Sequence, residues 1–141
     1  MATEILVNDG GAPARILPYI AGVALTGGQL VTASTTSGEV ILALKTLGNQ
    51  QKHASLGYCL VDAASGSVAS IITGKGVQLN VQADPTHAAD AMCIGPVAGE
   101  LGPCTATTTA AGFPAIAQIL KTTGESDEAL AAAGLWRVQT L

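Results

Sequence analysis

The sequence is short of aromatic and charged residues. Only four of its 141 residues are aromatic, and charged residues make up 11% of the chain, about half their share in an ordinary soluble domain. The core must therefore be built from Val, Ile, Leu and Ala. Because 48% of the residues are hydrophobic, folding alone would leave much apolar surface in water, and we expect a partner to cover part of it.

The sequence also lacks the patterns typical of nucleic-acid-binding, membrane and secreted proteins. Its six basic residues are scattered and its formal net charge is −4, so no basic stripe for phosphates is expected. The uncharged runs at 16–38 and 101–120 are broken by Gly, Pro and Thr, which argues against a membrane helix. Residues 1–7 include Glu4 and no basic segment, so no signal peptide is expected.

Patterns for catalysis and metal binding are missing as well. Cys59, Cys93 and Cys104 have no CxxC spacing, and an odd number of such cysteines suits buried thiols in a reducing compartment. The two histidines, His53 and His87, fall in predicted loops, and no GxSxG motif supplies a nucleophile. We therefore predict no catalytic residue, no metal site and no cofactor, and hence no enzyme activity.

The residues that are present predict short strands separated by glycine turns. The central stretch, 54–81, is expected to form a three-stranded meander over 56–61, 68–73 and 77–81. In its third strand Val77, Leu79 and Val81 alternate with Gln78 and Asn80, which predicts one buried and one wet face. The Gly-Lys-Gly sequence at 74–76 then predicts a hairpin turn, since a phosphate-binding loop needs a following helix. Other strands are predicted at 16–25, 29–33, 39–44, 92–94, 96–101, 115–121 and 135–141, and helical turns at 86–89 and 126–134.

These elements predict a mainly β fold, a small β-barrel or tulip-like domain with at most one or two short helices. Residues 1–14 are predicted to be an extended N-terminal arm, and residues 15–141 a single β domain. Within that domain, 28–81 and 90–141 align as two degenerate half-repeats. The alignment rests on matching 53–60 with 113–120 without a gap.

The N-terminal arm is predicted to lie outside the globular core and to contact a neighbouring molecule. The sequence Asn-Asp-Gly-Gly at 8–11, followed by Pro13, separates Ile5 and Val7 from the strands that come later. Together with Ile16 and Leu17, these two residues are the predicted contact residues of the arm. Trp136, the single Trp, is predicted to be an interface anchor.

The order of the central motifs resembles that of the tailed-phage head decoration, or capsid cement, proteins. The resemblance is carried by Gly-Gln-Leu-Val-Thr at 28–32, Ser-Leu-Gly-Tyr-Cys-Leu-Val-Asp-Ala-Ala-Ser-Gly at 55–66 and Gly-Lys-Gly at 74–76. It covers most of residues 20–141. It implies homotrimers that bind the major capsid protein at local threefold positions on the capsid exterior, so that the arm residues would contact the capsid. The helical turn predicted at 126–134 departs from the family pattern.

Two other classes of function stay open at this point. A non-viral β-barrel binding module would be favoured by a concave pocket lined by Trp136 or Tyr58 with converging polar groups. An enzyme subunit would be favoured by a buried group with a strongly shifted pKa near His53 or His87.

Overall fold

The computed structural model describes residues 5–8, 14–44, 55–83, 91–95, 97–104, 114–120 and 135–141. These ranges contain strands and no helix, which confirms the predicted mainly β fold. The strands are β1 (Leu6–Asn8), β2 (Arg15–Ala21), β3 (Leu30–Ala33), β4 (Glu39–Leu42), β5 (Gly57–Cys59), β6 (Val68–Thr73), β7 (Gln78–Gln82), β8 (Ala91–Ile94), β9 (Leu101–Pro103), β10 (Ala117–Ile119) and β11 (Leu135–Thr140). The helical turns predicted at 86–89 and 126–134 lie outside the described residues.

Strands β2 to β6 form a closed five-stranded barrel in the order β2-β4-β3-β5-β6. The barrel closes where β2 and β4 run parallel, at Ile20–Glu39 and Ala21–Val40, and its other strand pairs are antiparallel. Alternate side chains of each strand point inward. The interior is filled by small and medium aliphatic side chains and one thiol, namely Ala21, Leu25, Val31, Val40, Cys59, Ala69 and Ile71.

Strand β1 and strands β7 to β11 form a six-stranded antiparallel sheet in the order β1-β7-β11-β10-β8-β9. One core joins this sheet to the outer wall of the barrel. The barrel contributes Leu30, Tyr58 and Ile72 to that core, and the sheet contributes residues such as Leu79 and Val138. Barrel and sheet are therefore packed as one body through apolar side chains.

The barrel and the sheet follow the same chain path. When β2 to β6 are matched in order with β7 to β11, the barrel order β2-β6-β5-β3-β4 becomes β7-β11-β10-β8-β9, which is the order of the sheet. The parallel closure at Ala21 and Val40 also has a counterpart, because Ala83 and Leu101 form an isolated parallel bridge. The chain thus contains two copies of one five-stranded unit, β2–β6 (the first unit) and β7–β11 (the second unit), with β1 added.

Hydrogen bonds and turns repeat with the strands. Equivalent amide-to-carbonyl bonds are Ser34–Glu39 and Gly95–Glu100, Ala43–Leu30 and Cys104–Ala91, and Leu56–Val31 and Ile116–Met92. The turn between the second and third strand of each unit contains a glycine at a φ of 78°, Gly38 in the first unit and Gly99 in the second. These matches fix which residues of the two units are equivalent.

The strand pairing corrects the predicted meander and the half-repeat boundaries. β5 and β6 form the expected hairpin, but β7 pairs with β1 and β11 and not with β6. The segment 74–76 is therefore not a hairpin turn; it carries the chain from the first unit to the second. Residues 78–81, assigned to the first half-repeat from the sequence, belong to β7, the first strand of the second unit. A period-two pattern shows which side chains share a face but not which strand is the neighbour.

Two local predictions are also wrong. Asn80, expected on a wet face, is 4% exposed, because β1 and the first unit both cover β7. The Asn80 amide donates to the Ile5 carbonyl at 2.8 Å, and the Asn80 carbonyl lies beside Gly28. Residues 97–100 form a turn where a strand was predicted at 96–101, and β9 begins only at Leu101.

Candidate functional site

The N-terminal strand belongs to the domain core. Ile5 is 6% exposed and lies in the core shared by the two units, and β1 pairs with β7 through Leu6 and Leu79. The prediction that the arm stays outside the core is therefore wrong for residues 5–8, since the open edge of β7 supplies a partner that is remote in sequence. The Val7 side chain and residues 1–4 and 9–13 lie outside the described part of the chain. Contact of the arm with a capsid stays a prediction.

The other two predicted arm residues, Ile16 and Leu17, lie on β2 and point to opposite faces of the barrel wall. Ile16 is 48% exposed on the outside, whereas Leu17 is half-buried and pairs with Ile71. Pro18 fits this strand because alternate residues of β2 direct their backbone groups away from β6. Ile20, two residues further on, directs its amide to the same side as Pro18 and donates to the Gly38 carbonyl at 2.9 Å. Pro18 has no amide proton, and its position on β2 needs no donor on that side.

A patch of exposed aliphatic side chains covers the outer wall of the first unit. Ile20 and Val68 are direct neighbours on β2 and β6 and are 38% and 63% exposed, and Ile16 lies on the same face. We call these three residues the apolar patch. Sequence reasoning found only Ile16, because exposure of Ile20 and Val68 depends on which face of the barrel the shared core covers. At the position equivalent to Val68, the second unit has Leu135, which is 6% exposed.

The two units meet at the Gly99 turn. The Leu30 amide donates to the Gly99 carbonyl at 2.9 Å, and the Gly99 amide donates to the Ala43 carbonyl at 2.9 Å. A Cβ atom added at Gly28 would lie 2.7 Å from Leu135 Cδ2. The start of β3 and the end of the β4 segment therefore form the edge with which the first unit covers the second.

A cleft of about 400 Å³ opens between the two units. Apolar groups from both units line it, together with the polar side chains Ser55, Thr73, Lys75 and Thr140. Tyr58 lines it as well, and the Tyr58 hydroxyl is buried with no hydrogen-bond partner among the described residues. Burial raises the pKa of the Tyr58 phenol, because the phenolate would lose its hydration. The cleft can hold an apolar molecule with a polar end.

Trp136 does not line this cleft. It lies on β11 opposite Val81 of β7, is half-buried, and packs against the shared core. One side of its ring thus contributes to folding, and its role as an interface anchor stays a prediction.

The three cysteines are free and lie in or beside the cores. Cys59 is inside the barrel and donates its S–H to the Val61 carbonyl at 2.9 Å, and burial raises its pKa. Cys104 is half-buried; burial, then a hydrogen bond and charge interaction with Cys93, raise its pKa to about 12. Thiols with raised pKa values hold little thiolate at neutral pH, so Cys59 and Cys104 are poor nucleophiles.

Within the described ranges, no cluster of three or more His, Cys, Asp and Glu side chains could hold a metal ion. No helix in those ranges is long and apolar enough to span a membrane. His53 and His87 lie outside them, and an enzyme site beside these histidines stays a hypothesis. No protein-family model matches the chain, and no curated protein matches it.

Proposed function

We propose that the protein is a structural component of a phage virion that decorates and stabilises the capsid exterior. In this role it binds as a homotrimer to the major capsid protein at local threefold positions. The resemblance carried by 28–32 and 55–66 supports the proposal from the sequence. The observation that carries it from the structure is the apolar patch, since exposed aliphatic neighbours such as Ile20 and Val68 favour a protein that is covered by others.

The fold is consistent with a shell protein. Each strand of the first unit has two neighbours because the barrel is closed, so that unit offers few free strand edges for unspecific association. The two units also share a core, which gives a rigid body on which exposed side chains keep fixed positions.

The test is binding to empty capsids built from the major capsid protein of the same genome. We expect the protein to sediment with these capsids, and electron microscopy to place it at local threefold positions. Deleting residues 2–4 shortens the arm without removing Ile5, and we expect weaker capsid binding with an unchanged melting temperature. Val61→Lys is the matched control, because Val61 is exposed and aligns with Lys121 of the second unit. Failure of the full chain to bind contradicts the proposal; undiminished binding by the shortened chain contradicts only the role of the arm.

A second candidate function is a non-viral β-barrel binding module, which the cleft beside Tyr58 favours. Its apolar walls and the nearby Lys75 suit a small amphipathic anion, and octanoate is a suitable probe with octanol as the uncharged control. A binding module should bind octanoate saturably by calorimetry. Ser55→Trp, which fills the cleft from its wall, should then abolish binding. Absence of heat up to millimolar octanoate contradicts this candidate.

A further inference from the structure

We propose that the Gly38 turn, with Ile20 and Val68, is covered by the second unit of another copy of this chain. The contact would repeat, between chains, the way in which the first unit covers the Gly99 turn within each chain. The inference deepens the homotrimer of the proposed function and rests on that part of it, but it does not require a capsid.

The contact between the two units of one chain is directional. The first unit contributes an edge, Leu30 and Ala43, and the second contributes the Gly99 turn. The described residues do not make the reverse contact: among them a Cβ atom at Gly38 would meet nothing within 4 Å, whereas one at Gly99 would lie 3.0 Å from Leu42 Cδ2. Each unit has two such surfaces, an edge and a turn, and the contact within one chain uses only one of them on each unit. The other surface of each unit, which we call its unused half, stays available.

The unused half of the first unit is the Gly38 turn with its apolar neighbours. Val68 is 63% exposed, while the equivalent Leu135 is 6% exposed under the first unit. The Gly38 amide has no hydrogen-bond partner among the described residues. The Gly38 carbonyl accepts a bond from the Ile20 amide and keeps a second lone pair. The turn can therefore donate one hydrogen bond and accept another.

The unused half of the second unit is the edge formed by Ala91 and Cys104, which are equivalent to Leu30 and Ala43. Leu30 and Ala43 are 1% and 0% exposed, whereas Ala91 and Cys104 are only half-buried. The Cys104 amide donates to the Ala91 carbonyl at 3.0 Å, as the Ala43 amide does to the Leu30 carbonyl.

The remaining two groups of this edge, the Ala91 amide and the Cys104 carbonyl, lie beside that bond and are not bonded to each other in the part of the chain that is described. Their equivalents in the first unit are the groups that bind Gly99. The Ala91 amide of one copy would donate to the Gly38 carbonyl of another, and the Gly38 amide would donate to the Cys104 carbonyl.

A second copy fits this surface because each chain carries one unused half of each kind. Head-to-tail contacts of this type close into a ring when the rotation between neighbours allows it. Three chains would place six equivalent units around such a ring. The contact is made by backbone groups and small side chains on one side and by Ile20 and Val68 on the other.

The first experiment is Val68→Lys in the full chain, with mass measured by size exclusion and light scattering at about 100 μM. We expect a trimer for the unchanged protein and a monomer for the variant, with melting temperatures within a few degrees. Val61→Lys, an exposed position on the same unit, should remain trimeric. A monomeric unchanged protein, or a Val68→Lys variant that keeps the unchanged mass, overturns the proposal.

The second experiment identifies the opposing surface. Ser37→Cys places an exposed thiol beside Gly38. In a Cys93→Ser background, which removes the thiol hydrogen-bonded to Cys104, oxidation by copper phenanthroline and oxygen at pH 9 should link it to Cys104 of another copy. Covalent dimers and trimers should appear on a non-reducing gel and should be lost when Cys104→Ser is added. Lys75→Cys is the control, because it places an exposed thiol at the junction of the units, away from Gly38. It should give no covalent dimers or trimers.

If Val68→Lys is monomeric but the Ser37→Cys protein forms no disulfide with Cys104, the patch is an interface whose partner is not the second unit, and the proposal is refuted. An oligomer that carries the cross-link but fails to bind capsids would refute the capsid role and leave this inference standing.

Discussion

Gly38 and Gly99 occupy equivalent turns at the same φ of 78°. Substitutions at the two positions therefore cause the same backbone strain and differ only in how tightly the new side chain is packed. Replacing either with Ala forces a Cβ into the left-handed region, at a cost of about 1 kcal/mol. At Gly99 the new methyl also meets Leu42 and Gln29 at 3.0–3.2 Å, and we expect about 1 kcal/mol more. Urea unfolding of Gly99→Ala and Gly38→Ala, both in the Val68→Lys background, measures the difference. Equal losses would mean that Gly99 is not tightly packed.

The buried Tyr58 hydroxyl has no hydrogen-bond partner among the described residues, and this predicts that Tyr58→Phe stabilises the fold by about 1 kcal/mol at pH 7. The folded-state pKa of Tyr58 is raised by burial, so its neutral form is favoured in the fold. In the unfolded chain the Tyr58 phenol ionises near pH 10. The free energy of unfolding should therefore fall above that pH by up to about 1.4 kcal/mol per pH unit.

In Tyr58→Phe the free energy of unfolding should fall less at alkaline pH, because the phenol that causes part of the fall is absent. Guanidinium unfolding between pH 8 and 11 can measure the difference. Tyr19→Phe, at a half-buried position, is the control for removing a hydroxyl elsewhere. A Tyr58→Phe variant with the same alkaline slope as the unchanged protein would show that the phenol is hydrated in the fold.

At the scale of elements, β1 is the strand whose role differs from the sequence-based expectation. Ile5 is buried in the shared core, so Ile5→Ala should lower the free energy of unfolding by about 2–4 kcal/mol. Ile16→Ala, at a residue 48% exposed, should cost less than about 1 kcal/mol in the Val68→Lys background. Chemical denaturation of both variants measures this difference. Similar losses of unfolding free energy would mean that Ile5 is not buried in the core and belongs to a loosely held arm.

The sequence predicts single elements better than their neighbours. The strand predicted at 68–73 coincides with β6, because its β-branched residues and flanking glycines act locally. The partner of β7 is not predictable in this way, since β1 and β11 are both remote from it along the chain. For the same reason the exposure of Val68 and the cleft beside Tyr58 could not be derived: both depend on how one unit lies against the other.

At the scale of the whole molecule, the shared core predicts that the two units unfold together. Leu30 and Ile72 of the first unit pack in one cluster with Leu79 and Val138 of the second, so neither unit can lose its structure without exposing the other. We expect coincident urea transitions for Trp136 fluorescence, which reports the second unit, and for labelling of Cys59, which reports the first. A variant with Cys93→Ser and Cys104→Ser keeps the label specific. Separate midpoints would show that the units are independent.

The pairing of β1 with β7 also sets an order of events during synthesis. Leu6 is made before its partner Leu79, and the whole first unit is synthesised between the two. At about 5–20 residues per second the ribosome needs several seconds to span that gap. The barrel can close in that interval, whereas Ile5 stays in water, open to chaperones or to the β7 edge of another chain. Ribosome-bound chains ending before and well after residue 79 should therefore differ in protease cleavage near Ile5, with protection only in the longer one.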